Sequence, residues 1–310
     1  MTKKTLYSWI NKYFYSPNFV QKLLSIILIP LSIIYSAIIK IKKLFTKEQI
    51  YSIPIINVGN LILGGSGKTP LCIAINREFS TKFRIFIVLR GYKRDSKGLF
   101  VVSDKGEILK DLKTSGDEAM EYALNGANVI VSEDRKKAIN KAINLGANLV
   151  ILDDGFSKFH IKKFEILLPS PLKPANNFTI PSGVYRYPKS FYKFANFIPS
   201  KDDIISHSYI ENPTKRMVLV TGIANPDRLK KHFSSCIAHE FFPDHHSFTK
   251  DELTNILSTH NATSLLVTNK DYVKIKEFNL PISRILLDVS LSKHFIDEIS
   301  AYIGDFYATI

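Results

Sequence analysis

The run Ile53-Pro54-Ile55-Ile56-Asn57-Val58 leads directly toward Gly64-Gly65-Ser66-Gly67-Lys68-Thr69. A glycine-rich turn between a strand and a helix lets backbone N–H groups close around phosphate oxygens. Lys68 is then placed to reach the β- and γ-phosphates, and Thr69 to offer a hydroxyl to Mg²⁺. The fit to the Walker pattern is imperfect, because Ile62 stands where its first glycine belongs. Glycine turns are common on their own. The Lys-Thr pair in strand–turn–helix context is what makes this one a nucleotide site.

Further apolar runs extend the pattern. Arg84 to Leu89, Val129 to Val131 and Leu149 to Leu152 read as short buried strands, with helices expected over Pro70 to Phe79 and Arg135 to Leu145. Strands alternating with helices imply a parallel sheet covered by helices on both faces, with active residues at the strands' carboxyl ends. A second, smaller α/β unit begins near Lys201. Its expected strands are Met217 to Val220 and Ser264 to Val267, and Thr249 is the expected cap of the helix between them. Six prolines between Pro169 and Pro199 predict an extended connection rather than a packed element. The organisation expected is therefore 1–45 as a basic hydrophobic helical segment, 46–200 as the P-loop domain and 201–310 as the smaller domain.

The composition of the 310 residues, 45% hydrophobic and 23% charged, is that of a globular chain. Cys72 and Cys236 cannot build a disulfide framework and have no metal-ligand spacing. The net charge is +14, and residues 1–50 contribute eight lysines against Glu48 alone, hence +7. Long aliphatic blocks between these lysines suit an anionic membrane surface rather than nucleic acid. Leu23 to Ile39 is an uncharged run of 17 residues between Lys22 and Lys40, at the lower limit for a membrane span, with Pro30 set to kink it. An in-plane anchor, a buried helix and a true span all remain open. No obligate protein partner is indicated.

Three clusters could carry chemistry. Asp153-Asp154-Gly155 follows an apolar strand, where a P-loop enzyme keeps its metal-binding acid. In Gly116-Asp117-Glu118, spacing alone makes Asp117 a helix cap, although a carboxylate there could also serve as a general base. Phe242-Pro243-Asp244-His245-His246 gathers an acid and two histidines, more readily a carboxylate–histidine pairing than a metal site. Asn269-Lys270-Asp271 is similar to the guanine-recognition element of P-loop GTPases, which keeps a GTPase or ATPase switch as a competing reading. A non-enzymatic basic membrane-binding module is another, but it leaves Lys68, Thr69 and the acid pair without a role.

Taken in order, these pieces resemble the tetraacyldisaccharide 4′-kinase (lipid A 4′-kinase) family. The resemblance rests on Asn57-Val58-Gly59-Asn60-Leu61 leading into the glycine turn and Pro70, then Arg90-Gly91-Tyr92, Gly116-Asp117-Glu118 and Asp153-Asp154-Gly155-Phe156. It continues through Pro181-Ser182-Gly183 with Arg186 and Pro188, Thr221 to Pro226, Phe242 to His246, and Thr268 with Lys270-Asp271. Each motif is weak alone, but eight in order across residues 57 to 271 are specific. The resemblance implies phosphorylation of the 4′-hydroxyl of lipid A disaccharide 1-phosphate by ATP with Mg²⁺, at the cytoplasmic face of the bacterial inner membrane, by a peripheral or monotopic enzyme. It implies that Gly64, Gly65, Ser66, Gly67, Lys68 and Thr69 hold nucleotide, and that Thr69 with Asp153 or Asp154 serves the metal. Asp117 becomes the base, paired with His245, and Glu118, Arg135 and Arg186 lie near substrate or phosphates. Two departures stand out. Ser157-Lys158 replace the family's Gln-His, with His160 following, and Tyr187 replaces the acid after Arg186.

Overall fold

Every residue of Ile55–Asn60 is buried (β1), and side chains alternate to opposite sides, so the strand needs apolar cover on both faces. A computed structural model of the chain supplies it and describes residues 3–223, 226–244 and 246–309. Three helices come first: α1 (Lys3–Tyr15), α2 (Phe19–Ile27) and α3 (Ile29–Leu44). After β1 follow α4 (Lys68–Phe79), β2 (Ile85–Leu89), β3 (Phe100–Asp104), β4 (Glu107–Ile108), α5 (Leu112–Ser115), α6 (Asp117–Leu124), β5 (Asn128–Val131), α7 (Arg135–Asn144), β6 (Leu149–Asp153) and β7 (Phe164–Leu168). The remainder is β8 (Ile204–Glu211), β9 (Met217–Thr221), β10 (Cys236–Phe241), α8 (Lys250–Thr259), β11 (Ser264–Thr268), α9 (Asn269–Ile275), β12 (Ile282–Leu291) and α10 (Lys293–Thr309).

The first sheet has the order β4-β3-β5-β2-β6-β1-β7. Its five central and right-hand strands run parallel, and β3 and β4 form an antiparallel edge that the sequence did not disclose. Ile56 and Val58 pack in one layer with α4, α6 and α10, while Ile55 packs in the other with Ala138, Ile139 and Ala142 of α7. The second sheet, β10-β9-β11-β12-β8, is parallel except for β8. Thr249 caps α8 as expected, its hydroxyl accepting from the Glu252 N–H.

The last helix of the second unit packs on the first: α10 returns to the first sheet and buries Phe295, Ile299 and Ile303 against it, and Tyr302 Oη donates to the Ile55 carbonyl at 3.1 Å. Two expectations are corrected. The proline-rich connection is packed, because Val184, Tyr185 and Phe191 are large apolar groups that join a core with Leu61, Ile62 and Phe156. The N-terminal apolar run is two helices meeting at 49° rather than one kinked helix. Pro30 lies in the first turn of α3, where its missing N–H costs nothing, so the chain breaks before it and starts again. Among the described residues no single helix is long and apolar enough to cross a membrane.

The bent α2–α3 pair is turned inside out. Phe19, Leu23, Ile26, Ile27, Ile34 and Ile38 face outward, each more than half exposed. Its serines face the protein instead: Ser25 donates to the Ser182 carbonyl at 3.0 Å, and Ser32 to the Thr179 carbonyl at 2.7 Å.

Candidate active site

The glycine turn joins β1 to α4 at the carboxyl end of the sheet. Gly64 and Gly67 hold φ of 100° and 86°, a region closed to most side chains and open to glycine. A Cβ added at either would meet nothing within 4 Å, so the constraint is the backbone turn itself, which opens onto free space. Lys68 begins α4, and its Nζ stands 3.9 Å from Asp154 Oδ1.

Strand β6 runs beside β1 and delivers the acid pair. Asp153 closes the strand and is buried, with Tyr122 Oη donating to Oδ2 at 3.0 Å. Its Oδ1 has no hydrogen-bond partner among the described residues. Burial first, and the Glu118 charge next, push this carboxyl up to about 7. Thr69 and Asp153 both neighbour the buried Tyr122.

Asp154 leaves the strand at φ 53°, which turns its side chain away from that of Asp153. Arg186 grips it with two hydrogen bonds, Nη1 to Oδ2 at 2.9 Å and Nη2 to Oδ1 at 2.8 Å, and also donates to Asn60 Oδ1 at 2.6 Å. Burial alone would raise the Asp154 carboxyl. The hydrogen bonds from Arg186 and the Lys68 charge outweigh it and hold the group below the usual carboxylate range. The two acids, indistinguishable in the sequence, thus differ: Asp154 is saturated by cations and Asp153 keeps a free oxygen.

Arg135 lies beneath this turn rather than on the cleft wall. It is 4% exposed, and its Nη2 donates to the Asp153 carbonyl at 3.3 Å and Nη1 to that of Ser132 at 2.7 Å. Burial pushes its guanidinium down to about 10 against the pull of both acids. Arg135 thus supports the acid turn from within the fold.

Asp117 is the first residue of α6, not its cap. Gly116 occupies the cap at φ 83°, so the Asp117 carboxylate sits in the helix's first turn, where the helix dipole favours negative charge. Across the cleft, Lys274 Nζ lies 3.4 Å from Asp117 Oδ2. His245, the expected partner of Asp117, lies outside the described residues. Its neighbours are placed: Asp244 Oδ1 meets Lys270 Nζ at 3.3 Å, and His246 Nε2 meets Glu252 Oε2 at 2.9 Å. Asp271 of the GTPase-like triplet is fully buried and takes hydrogen bonds from Thr221, Thr268 and the Gly222 N–H, so its carboxylate is not offered to a base.

Sequence reasoning missed three contributors. Tyr122 on Asp153, Lys274 on Asp117, and Arg228, whose Nη2 donates to the Gly65 carbonyl of the glycine turn, all come from distant elements with no spacing signature. Among the described residues no group of three or more His, Cys, Asp and Glu side chains could hold a metal by itself. What the cleft offers is a single buried acid oxygen, the neighbouring Thr69 and an open backbone cradle, which fits an ion shared with nucleotide phosphates.

The profile of the Tetraacyldisaccharide-1-P 4'-kinase family matches residues 24–214 and 205–303. The chain belongs to this family. The tetraacyldisaccharide 4'-kinase of Campylobacter jejuni subsp. jejuni is 52% identical over 302 residues, covering 96% of both chains. That of Helicobacter pylori is 44% identical over 299 residues, 95% of both. The crystal structure of LpxK from Aquifex aeolicus, in complex with ATP, superposes with a TM-score of 0.75 at 25% identity, covering 91% of this chain and 99% of that one.

Proposed function

We propose that this chain transfers the γ-phosphoryl group of ATP to the 4′-hydroxyl of a lipid A disaccharide 1-phosphate, working at an anionic membrane surface on the cytoplasmic face of the inner membrane as a peripheral or monotopic enzyme. The observation that carries the chemistry is the gathering of the glycine turn, of Lys68, whose charge acts on Asp153, and of Thr69 near Asp153, whose Oδ1 is unpartnered among the described residues, in a chain of this kinase family.

Backbone N–H groups of residues 64–69 would cradle the phosphates, and Lys68 would leave Asp154 for them. Thr69 and Asp153 would hold Mg²⁺, which when bound neutralises charge on the β- and γ-phosphates. Tyr122 and Arg135 keep Asp153 aimed from below, through its carboxylate and its carbonyl respectively. Arg186 holds Asp154 aside, so only one of the two acids is left to meet the ion. Asp117, at the head of α6, would accept the proton of the sugar hydroxyl, with His245 to orient it and Glu118 beside it on the substrate side.

The inverted α2–α3 pair supports the membrane part. An outward face of Phe, Leu and Ile next to Lys22, Lys40 and Lys42 combines apolar insertion with attraction to anionic headgroups. This would bring the site to an acceptor that is itself a lipid. The test is a thin-layer assay with labelled ATP and purified acceptor in anionic vesicles. Label in the lipid is expected, dependent on Mg²⁺. Release of inorganic phosphate without labelled lipid would reject the assignment.

A further inference from the structure

Three motifs of the second sheet end at one point, and none is explained by nucleotide binding. Thr221-Gly222 closes β9, the loop Phe242 to His246 follows β10, and Thr268 to Asp271 joins β11 to α9. Asp271 ties the first and the third together, accepting from Thr221 Oγ1 at 2.7 Å, Thr268 Oγ1 at 2.8 Å and the Gly222 N–H at 3.2 Å. A Cβ on Gly222 would stand 3.2 Å from both His246 Cβ and the Pro243 carbonyl, so the glycine is what lets the histidine loop lie this close.

Lys274 lies one turn beyond Asp271 on α9, and its side chain is only 6% exposed. Among the described residues its ammonium has three polar neighbours: Asp271 Oδ1 at 3.5 Å, the His246 carbonyl, to which it donates at 3.2 Å, and Asp117 Oδ2 at 3.4 Å. The Phe248 ring lies 5.8 Å away. Two of the polar contacts are within the second unit, and the third crosses the cleft to the head of α6. We propose that Lys274 is a positioning residue, a cross-cleft clamp that sets the Asp117 carboxylate in its reactive orientation relative to the histidine loop. The proposal rests on the reading of Asp117 as the base.

The chemistry favours a lysine in this place. A base must be ionised and aimed, and an ammonium within salt-bridge distance favours the ionised form while restricting where the oxygens point. The ammonium has no lone pair, so it cannot itself take the hydroxyl's proton. Lys274 is in turn fixed by a carboxylate with three further donors, and so is pre-organised rather than free to follow Asp117. Because the His246 carbonyl takes a hydrogen bond from the same ammonium, Lys274 contacts both Asp117 and that loop.

The experiment compares Lys274→Met, Lys274→Arg, Asp117→Asn and the double variant Asp117→Asn/Lys274→Met in the full chain, with ATP and acceptor in vesicles. Lys274→Met is expected to lower kcat about 100-fold, the scale on which losing a positioned charge acts, with KM for ATP within about twofold of the parent. Lys274→Arg, which keeps the charge, should recover at least about tenfold of that loss. The double variant should be no slower than Asp117→Asn, because the clamp has nothing left to hold. A Lys274→Met enzyme with kcat within about threefold of the parent, or multiplicative losses in the double variant, overturns the clamp while a crippled Asp117→Asn leaves the base intact. A fully active Asp117→Asn overturns the base instead. Thermal protection by ATP reports folding of each variant. Should Lys274→Met fail that check, a folded Lys274→Gln, which keeps donors but not charge, decides the matter by the same kcat criterion.

Discussion

Two of the molecule's clusters of buried and half-buried polar groups are finished differently. Between α2–α3 and the proline-rich loop, Ser25, Ser32, Ser36, Asn176, Thr179 and Ser182 all find partners, several of them twice. At the carboxyl ends of β1 and β6, Asp153 Oδ1, Ser66 Oγ, Asn60 Nδ2 and Arg186 Nε have none among the described residues. A saturated network fixes one structure and has no capacity left for a ligand. An unsaturated one carries a standing cost in the folded chain that a ligand can relieve. Buried polarity alone is therefore not a mark of function. At this end of the sheet, the unfinished bonds are what a ligand would complete.

The sharpest contrast should come from Asp153. Changing it to Asn keeps the shape and removes the charge, and turnover should fall about a hundredfold or more. Thermal stability should hold or rise, since the parent carries a carboxylate in a site that favours its neutral form. Steady-state kinetics beside a melting curve checks both. A variant that lost stability while keeping turnover would place Asp153 with the structural seam and break the comparison.

The outward side of the seam helices gives the next effect. Ile26 and Ile34 are 61% and 57% exposed, so Asp at either position removes little packing. Each apolar side chain entering lipid is worth about 1.5–3 kcal/mol, so partition into anionic vesicles should fall on the order of tenfold or more for each substitution. The melting temperature should not move. Vesicle sedimentation that is equal for parent and double variant would remove these helices from the membrane surface.

What the sequence disclosed and what it withheld divide along the same line. Strand, glycine turn and helix around Lys68 are local patterns, and they were legible together with the acid pair after β6. The unequal fates of Asp153 and Asp154 were not, because they depend on one backbone angle and on Arg186, 32 residues later. Asp117 was read from spacing as a cap, when Gly116, free to adopt positive φ, takes that place. Lys274 and Tyr122 reach the acids only through the packing of α6 against α9 and β6. The break before Pro30 and the return of α10 to the first sheet were equally hidden, since both follow from which surfaces need cover. Even the inward-facing serines of α2–α3 look in sequence like interruptions of a hydrophobic run.

The seam itself should respond in stability and only weakly in chemistry. Ser32 is 1% exposed, donates to the Thr179 carbonyl and accepts from the Ser182 N–H. Ser32→Ala leaves the Ser182 N–H buried and unpaired and takes one of two donors from the Thr179 carbonyl, which still accepts from the Gly183 N–H at 3.0 Å, at a cost of about 1–2 kcal/mol in chemical denaturation. Turnover at saturating ATP and acceptor should stay within about twofold, because the groups affected lie away from the cleft. A loss of turnover as deep as that of Asp153→Asn would show that the two clusters are one system.

The smallest effect should have the opposite sign. Glu121 lies one turn beyond Asp117 on α6, partly buried on the cleft side. Burial first raises its carboxyl; Glu118, Asp271 and Asp153 add to this and Lys270 opposes it, leaving the group at about 7. A carboxyl that holds its proton more tightly folded than unfolded favours the folded state while protonated. That advantage is lost as pH rises from the unfolded value of 4.5 through 7, and stability stays at the lower level above. Glu121→Gln is neutral throughout. Its melting curve should match the parent's below pH 4.5 and lie above it at pH 8, by on the order of 1 kcal/mol once water around the partly exposed side chain is allowed for. Removing a polar group from the seam thus weakens the fold, whereas removing a charge from the cleft strengthens it. Should Glu121→Gln instead melt earlier at pH 8, Lys270 outweighs burial at this position, and the charge of Glu121 belongs with the satisfied groups.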